Sequence, residues 1–371
     1  GKIIFQNELV QLIQYQPTTN KVHEIPLLII PPWINKYYIL DLRPENSLVR
    51  WLVSEGFSVF VISWKEPNEE SSDISFYDYF SKGVFQVIEF LKSELNFNKV
   101  NTLGYCIGGT LQALCLSYLE RTGDKTINSA TFLTSMIDFS EPGDLGFFVD
   151  EDIVEKLEVI MEVDGYLEGD HMSQVFNILR ANDLIWHFFV NNYLKGKSPD
   201  AFDILYWNSD STRLPRKMHS FYLREMYLKN SLAKPNALEM QGTLIDITKI
   251  NSPSCFVSAV EDHIAPWRST FAGAKLLGGE KTFILTNGGH VAGIVNPPES
   301  SRYSHYVSKL EFQFPDEWLE NANNANDSWW TTWSSWLADK SGSKIKALNI
   351  NQKFVIEDAP GSYVRSNYRD P

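Results

Sequence analysis

Val100-Asn101-Thr102-Leu103-Gly104-Tyr105-Cys106-Ile107-Gly108-Gly109 is the stretch on which the fold turns. Val100–Tyr105 reads as a buried strand, and the text from Leu111 to Arg121 reads as a helix. Between them sits a sharp turn with glycines on both sides of a cysteine. A nucleophile elbow has this form: strand, strained turn, helix, with the reactive side chain at the apex. Gly104 and Gly108 let two backbones pass where side chains would collide. The helix N-terminus favours negative charge on the sulfur, and the Ile107 amide points where an oxyanion would form. The same residues also fit a glycine-rich turn around a structural cysteine, so the choice depends on what else the chain supplies.

Outward from the elbow, short apolar runs alternate with amphipathic stretches. Ile25–Ile30 and Ser58–Ser63 read as strands, Ser47–Glu55 as a helix. Tyr77–Leu95 reads as a long helix, with Phe80, Val84, Val87, Ile88 and Leu91 at helical spacing. The rhythm resumes with a strand at Ser254–Val260, a helix near Trp267–Leu277 and a strand at Thr282–Leu285. Strands alternating with helices imply a mostly parallel sheet covered on both faces. From about Glu141 to Ile250 the strand-like runs vanish. Trp186 to Tyr227 alone holds 10 aromatics in 42 residues. This segment reads as a helical cap inserted into the sheet domain. The expected layout is a core of residues 1–140 and 251–371 with a cap or lid at 141–250.

Two further residues complete a triad. Asp262 in "SAVEDHIAPW" and His290 in "LTNGGHVAG" each follow a predicted strand, where open α/β sheets place their sites. The order nucleophile, acid, histidine is that of the α/β-hydrolase fold. The fold expected is therefore an α/β-hydrolase fold with a mostly parallel sheet and an inserted helical cap. Its expected catalytic residues are Cys106, Asp262 and His290. His263 reads as support for the acid loop, and Glu261 fits the acid position less well than Asp262. His23, His171, His187, His219 and His305 have no partner visible in sequence and read as surface or satisfied residues. Ile107 supplies one oxyanion-hole amide. Ile34 or Asn35, in "PPWINKYY", is the candidate for the other.

Bulk properties exclude other classes. A chain of 371 residues is long for one uniform core, consistent with an insertion. A net charge of −13 argues against nucleic acid as a partner. Three cysteines cannot build a disulfide framework; with no signal peptide in view they favour a reducing cytoplasm. Cys115 and Cys255 read as small buried hydrophobes. No apolar run is long enough to cross a bilayer. No Cys/His spacing suggests a metal, and no Walker or dinucleotide pattern is present. The chain starts at Gly1 and enters pattern at once, which suggests a fragment of a longer protein.

With these residues in place, the chain resembles the catalytic domain of class I polyhydroxyalkanoate (PHA) synthases. The matching text is "QNELVQLIQYQP" at 6–17, all of "PPWINKYYILDLRPENSLVRWLVSEGFSVFVISWKEP" at 31–67, "GYCIGGT" at 104–110 and "LYWNSDSTRLP" at 205–215. It continues with "EDHIAPW" at 261–267, "GGHVAGIVNPP" at 288–298 and "SWWTTWSSWLADKSG" at 328–342. The resemblance implies that Cys106, Asp262 and His290 are the family's catalytic cysteine, aspartate and histidine, and that a further N-terminal domain is missing. It implies a polymerase that joins (R)-3-hydroxyacyl-CoA units into polyester through acyl-Cys106 and releases CoA, with no cofactor beyond the CoA of the substrate. It further implies a cytoplasmic homodimer built through the cap and seated on PHA granules. Lys36, Arg180, Arg213, Arg216 and Lys217 are candidates to meet CoA phosphates. Trp329, Trp333 and Trp336 read as core packing rather than polymer contacts. A depolymerase or thioesterase on the same fold, and a non-catalytic granule-binding protein, are the rival readings.

Overall fold

A computed structural model describes residues 1–172, 174 and 203–366 of the chain. Eleven of its strands form one sheet. In chain order they are β1 (Lys2–Gln6), β2 (Val10–Gln14), β3 (Leu27–Ile30), β4 (Val59–Trp64), β5 (Val100–Tyr105) and β6 (Ile127–Leu133). Then come β7 (Ser254–Ala259), β8 (Lys281–Thr286), β9 (His305–Lys309), β10 (Asn323–Ala325) and β11 (Glu357–Asp358). Their spatial order is β11-β1-β2-β4-β3-β5-β6-β7-β8-β9-β10. From β4 to β8 neighbouring strands are parallel, and the outer strands are antiparallel. The central run 1-2-4-3-5-6-7-8, with β2 antiparallel, is the strand order of the α/β-hydrolase fold.

The parallel strands are buried along both faces, as continuous apolar runs such as "LLII" and "VFVIS" require. One face carries α1 (Leu48–Ser54), started by the Ser47 side chain accepting from the Arg50 amide. The long helix expected at 77–95 is helical from 76 to 93, but residues Tyr79–Phe85 form a π turn within it. Gly83 sits in that turn against Trp64, whose ring would lie 2.5 Å from any Cβ there. The elbow helix α2 (Ile107–Thr122) starts four residues earlier than its apolar text suggested. It takes in the two glycines of the turn.

The described part of 141–250 holds a helix α3 (Glu151–Asp164), a helical turn Asp203–Ser209, and α4 (Arg216–Tyr222) running on into a π turn Leu223–Leu228. Strands are not absent from this stretch. Tyr166–Leu167 pairs with Leu214–Pro215, and Leu238–Met240 forms a hairpin with Thr243–Ile245. The hairpin turns at Gln241 and Gly242, both at positive φ, the geometry of a tight two-residue turn. Its apolar residues Leu238, Met240 and Ile245 share the core cluster of Leu111 and Leu114. The Asp246 amide donates to the Ser117 hydroxyl on α2, at 2.8 Å. Residues 238–250, expected in the cap, thus pack on the elbow helix. Alternating apolar text this short reads as loop until a neighbour covers it.

Candidate active site

The elbow is strained, and its glycines are required. Cys106 sits between β5 and α2 at φ 53°, a left-handed conformation for a residue with a side chain. A Cβ at Gly108 would lie 2.2 Å from the Ile30 carbonyl oxygen, and one at Gly104 would lie 2.5 Å from the Gly109 Cα. A Cβ at Gly109 would strike the Ser135 hydroxyl at 2.1 Å. The turn therefore wedges the start of α2 against the ends of β3 and β6, which leaves Cys106 half-buried at the apex. Cys115 and Cys255 are fully buried, and burial pushes both thiols up, beyond the range in which a thiolate forms near neutral pH.

The other two residues arrive on the next strand ends. Asp262 follows β7 and His290 follows β8. His290 Nδ1 lies 2.7 Å from Asp262 Oδ2. The second carboxylate oxygen, Oδ1, accepts from the amides of Ile264 at 2.9 Å and Ala265 at 2.8 Å. The carboxylate is thus fixed and satisfied although buried. The Cys106 sulfur is near enough to the same ring for its charge to act on it. Burial alone would drive the proton off His290, but the charges of Asp262 and the Cys106 sulfur outweigh it. The imidazole is pushed up to about 10. Negative charge beside the ring favours its protonated form.

The loop carrying His290 is clamped from behind by a helix that sequence reading assigned to packing alone. α5 here is Trp267–Leu276, next to the acid loop, and α6 is Trp329–Asp339. On α6, Trp329 Nε1 donates to the carbonyls of Gly293 and Ile294, at 3.1 and 3.2 Å, and Trp330 Nε1 donates to Ile294 at 2.9 Å. Both indoles, with Trp333, lie in the core. Trp329 and Trp333 pack as expected, and Trp329 and Trp330 also tie the histidine loop to α6. Tyr105 stacks on the His290 ring with centroids 5.7 Å apart, and its hydroxyl donates to the His290 carbonyl at 3.3 Å.

The remaining site residues divide. Ile107 is the first residue of α2, where the helix gives the amide no internal partner. Ile34 lines the same pocket as Cys106 and Ile107. Asn35 instead bridges to Ser211. The His263 side chain is exposed; its carbonyl accepts from the Asp144 amide at 3.1 Å and so anchors the start of the inserted segment. Lys36 is buried, pairs with Asp210 at 2.8 Å and donates to the Ser366 carbonyl at 2.9 Å, so it does not stand at a mouth awaiting phosphate. Arg213 forks onto Glu168 and lies over Tyr166. Arg216 is half-buried, 3.7 Å from Asp73, and Lys217 is exposed. Arg180 and His187 lie outside the described residues. His305 is satisfied through both ring nitrogens. His219 is not: it is buried in the pocket wall, a position its sequence context did not disclose.

The loop 31–38 and the segment 207–213, two of the most distinctive stretches of text, are stitched together. Trp207 Nε1 donates to the Lys36 carbonyl at 2.8 Å, Tyr38 to Asp210 at 2.8 Å, and the Thr212 amide to the Ile34 carbonyl at 3.2 Å. The oxyanion-loop candidate is thus held by the inserted segment above it. Among the described residues, no cluster of His, Cys, Asp or Glu could hold a metal ion.

Strand order, elbow and strand-end residues together define an α/β-hydrolase-fold protein with a cysteine where the nucleophile stands. Comparison with known proteins narrows this. Residues 1–52 match the family described as the N-terminus of poly-beta-hydroxybutyrate polymerase (PhaC). The chain is 43% identical over 366 residues to the poly(3-hydroxyalkanoate) polymerase subunit PhaC of Rhizobium meliloti, covering 98% of this chain and 60% of that protein. It is 44% identical over 368 residues to the poly(3-hydroxyalkanoate) polymerase of Methylorubrum extorquens, covering 98% of this chain and 61% of that protein. By sequence the chain is similar to poly(3-hydroxyalkanoate) polymerases, and it spans about 60% of the length of these curated relatives. Among solved structures, a monoacylglycerol lipase of Paleococcus ferrophilus is similar at TM-score 0.47 and 14% identity, over 90% of this chain and 100% of that one.

Proposed function

We propose that this chain carries the catalytic centre of a polyester synthase that polymerises (R)-3-hydroxyacyl-CoA with release of CoA through acyl-Cys106. The observation that supports this most directly is the Cys106–His290–Asp262 arrangement in a protein that groups with poly(3-hydroxyalkanoate) polymerases. The imidazolium of His290 stands beside the sulfur. The thiolate adds to the thioester carbonyl, and the oxyanion meets the Ile107 amide, with Ile34 the candidate for a second donor. Collapse expels CoA as a thiolate, which takes the proton from His290. One thioester is exchanged for another, so the acyl group stays activated.

Acylation removes the sulfur's negative charge, one of the two that hold the proton on His290. The ring's proton affinity then falls, and neutral imidazole can take the proton of an incoming hydroxyl. That hydroxyl attacks acyl-Cys106 and forms an oxoester, the thiol is restored, and the chain is longer by one unit. Positioned proton transfer of this kind is worth about 10²–10⁴-fold.

Water must be excluded at this stage, or hydrolysis replaces polymerisation. The pocket over Cys106 has an apolar wall from the inserted segment, including Leu145, Phe148, Val149 and Leu157. Association with granules in a cytoplasm, and dimerisation through the inserted segment, belong to the same proposal. Among the described residues no helix is long and apolar enough to cross a membrane.

The test is thiol release from (R)-3-hydroxybutyryl-CoA, with the product analysed. Wild type should release CoA and accumulate polymer, and Cys106→Ala should do neither. Free 3-hydroxy acid as the main product would replace the synthase reading with a thioesterase. Unchanged release by Cys106→Ala would remove the cysteine from the chemistry.

A further inference from the structure

The pocket above Cys106 is mostly apolar, and among the described residues its buried His219 and Thr134 side chains make no hydrogen bond, while His171, which also lines it, is exposed. His219 lies on α4 with Tyr222 and Leu223 at the three- and four-residue spacing that shares one helix face, and all three line the pocket. It is only 4% exposed, and among the described residues its imidazole makes no hydrogen bond. Burial without a partner drives the proton off, and the ring falls to about 4. It is therefore neutral at physiological pH, with one donor and one acceptor nitrogen. Across the pocket the Thr134 hydroxyl is likewise buried without a partner, on a residue held at φ 41°. The two nearby tyrosines, Tyr222 and Tyr227, pack edge to face with ring centroids 5.6 Å apart.

A buried polar group left without a partner costs roughly 1–3 kcal/mol. A leucine or phenylalanine at 219 would fill the same wall without that cost. An imidazole kept neutral there suits a ligand with a hydroxyl rather than an anion, because a neutral ring gives no charge to attract phosphate or carboxylate. Cys106 and Ile107 line the same pocket, so an acyl chain attached to the sulfur would share it with His219.

We infer that His219 is a specificity-determining residue, hydrogen-bonded to the hydroxyl on the acyl chain bound at Cys106. This rests on the acyltransferase reading and adds to it the group that tells a hydroxyacyl thioester from a plain one. A site built to bond a hydroxyl rejects the analogue that lacks it, because its own polar group is then stranded.

Single-turnover acylation of Cys106 by (R)-3-hydroxybutyryl-CoA and by butyryl-CoA separates the possibilities. With His219→Phe, the hydroxybutyryl rate should fall about 10-fold or more, the loss of one buried hydrogen bond. The butyryl rate should stay within about 2-fold, since that chain makes no such bond. His219→Gln, which keeps a donor and an acceptor, should restore most of the preference. An unchanged preference in His219→Phe overturns the inference, and so does an equal loss for both thioesters. Should His219→Phe not fold, Cys106→Ala with native His219 carries the test. Its His219 ring signals should shift in NMR spectra on adding (R)-3-hydroxybutyryl-CoA and not butyryl-CoA, and equal shifts refute the assignment. If wild type is acylated by neither thioester, the acyltransferase reading itself has failed, and the inference falls with it.

Discussion

The proton on His290 is where one residue's environment sets the chemistry. Its value of about 10 in the folded chain stands above its ordinary 6.5, despite burial, because of Asp262 and the Cys106 sulfur. A raised value means that the folded state binds the proton more tightly. The resulting stabilisation is complete below about pH 6.5 and is lost as pH rises through about 10. Asp262→Asn removes one of the two charges. It should move the His290 titration down, abolish much of the alkaline loss of stability, and slow turnover by about 10²–10⁴-fold. Urea midpoints measured from pH 6 to 10.5, beside initial rates, check both effects. A stability profile identical to wild type would show that Asp262 does not hold the proton.

The elbow shows how an element imposes residue identity. Gly108 is helical, yet a methyl group there would lie 2.2 Å from the Ile30 carbonyl. Neither backbone can retreat, since β3 is locked between β4 and β5. Gly108→Ala should therefore cost about 3 kcal/mol or more through overpacking and displace Cys106. Gly123 ends the same helix at φ 78° with open space around its Cα. Gly123→Ala should cost only the left-handed conformation, roughly 1–2 kcal/mol, and leave the rate per folded molecule unchanged. Thermal melts and active-site titration of the two variants make the comparison. Equal costs would mean that the close approach at Gly108 is not what requires glycine. The tryptophan helix is the other element of consequence, because its indoles bond the backbone that follows His290.

For the molecule as a whole, the joint between core and inserted segment is built from buried charge. Glu66 accepts from the Arg213 amide at 2.9 Å and leaves its other oxygen buried without a partner. Burial is the chief reason its carboxyl rises to about 7; the Arg213 amide, Lys36 and Arg213 pull it down, and Asp210 adds to the rise. A raised carboxyl destabilises the fold as pH climbs from its ordinary 4.5 through about 7, because the unfolded chain gives up its proton first. Glu66→Gln keeps an acceptor for Arg213 and removes the charge. Above pH 7.5 it should stabilise the protein by about 1–3 kcal/mol, and near pH 4.5 it should make little difference. Chemical denaturation at the two pH values measures this. A variant less stable than wild type at pH 8 would show that the charge is compensated by Lys36 and Arg213.

The sequence by itself determined the sheet and the elbow, and it singled out Cys106, Asp262 and His290, which the fold carries on three strand ends, His290 against Asp262. These are legible because they rest on local rules: apolar runs that must be buried, glycines that must let backbones pass, and strand ends that must follow in a fixed order. It also placed Trp329 and Trp333 in the core, whereas Trp336 of the same stripe is only partly buried and Trp330 is buried instead. Only the tertiary structure decided which polar groups face one another. Lys36 and Arg213, plausible anion binders in text, are committed to Asp210 and Glu168. The hairpin at 238–245 belongs with α2. His219, one unremarkable histidine among seven, is buried in the wall of the pocket that holds Cys106. Such facts depend on contacts between residues 40 to 180 positions apart, and pairing across that distance leaves no period, spacing or motif in the text.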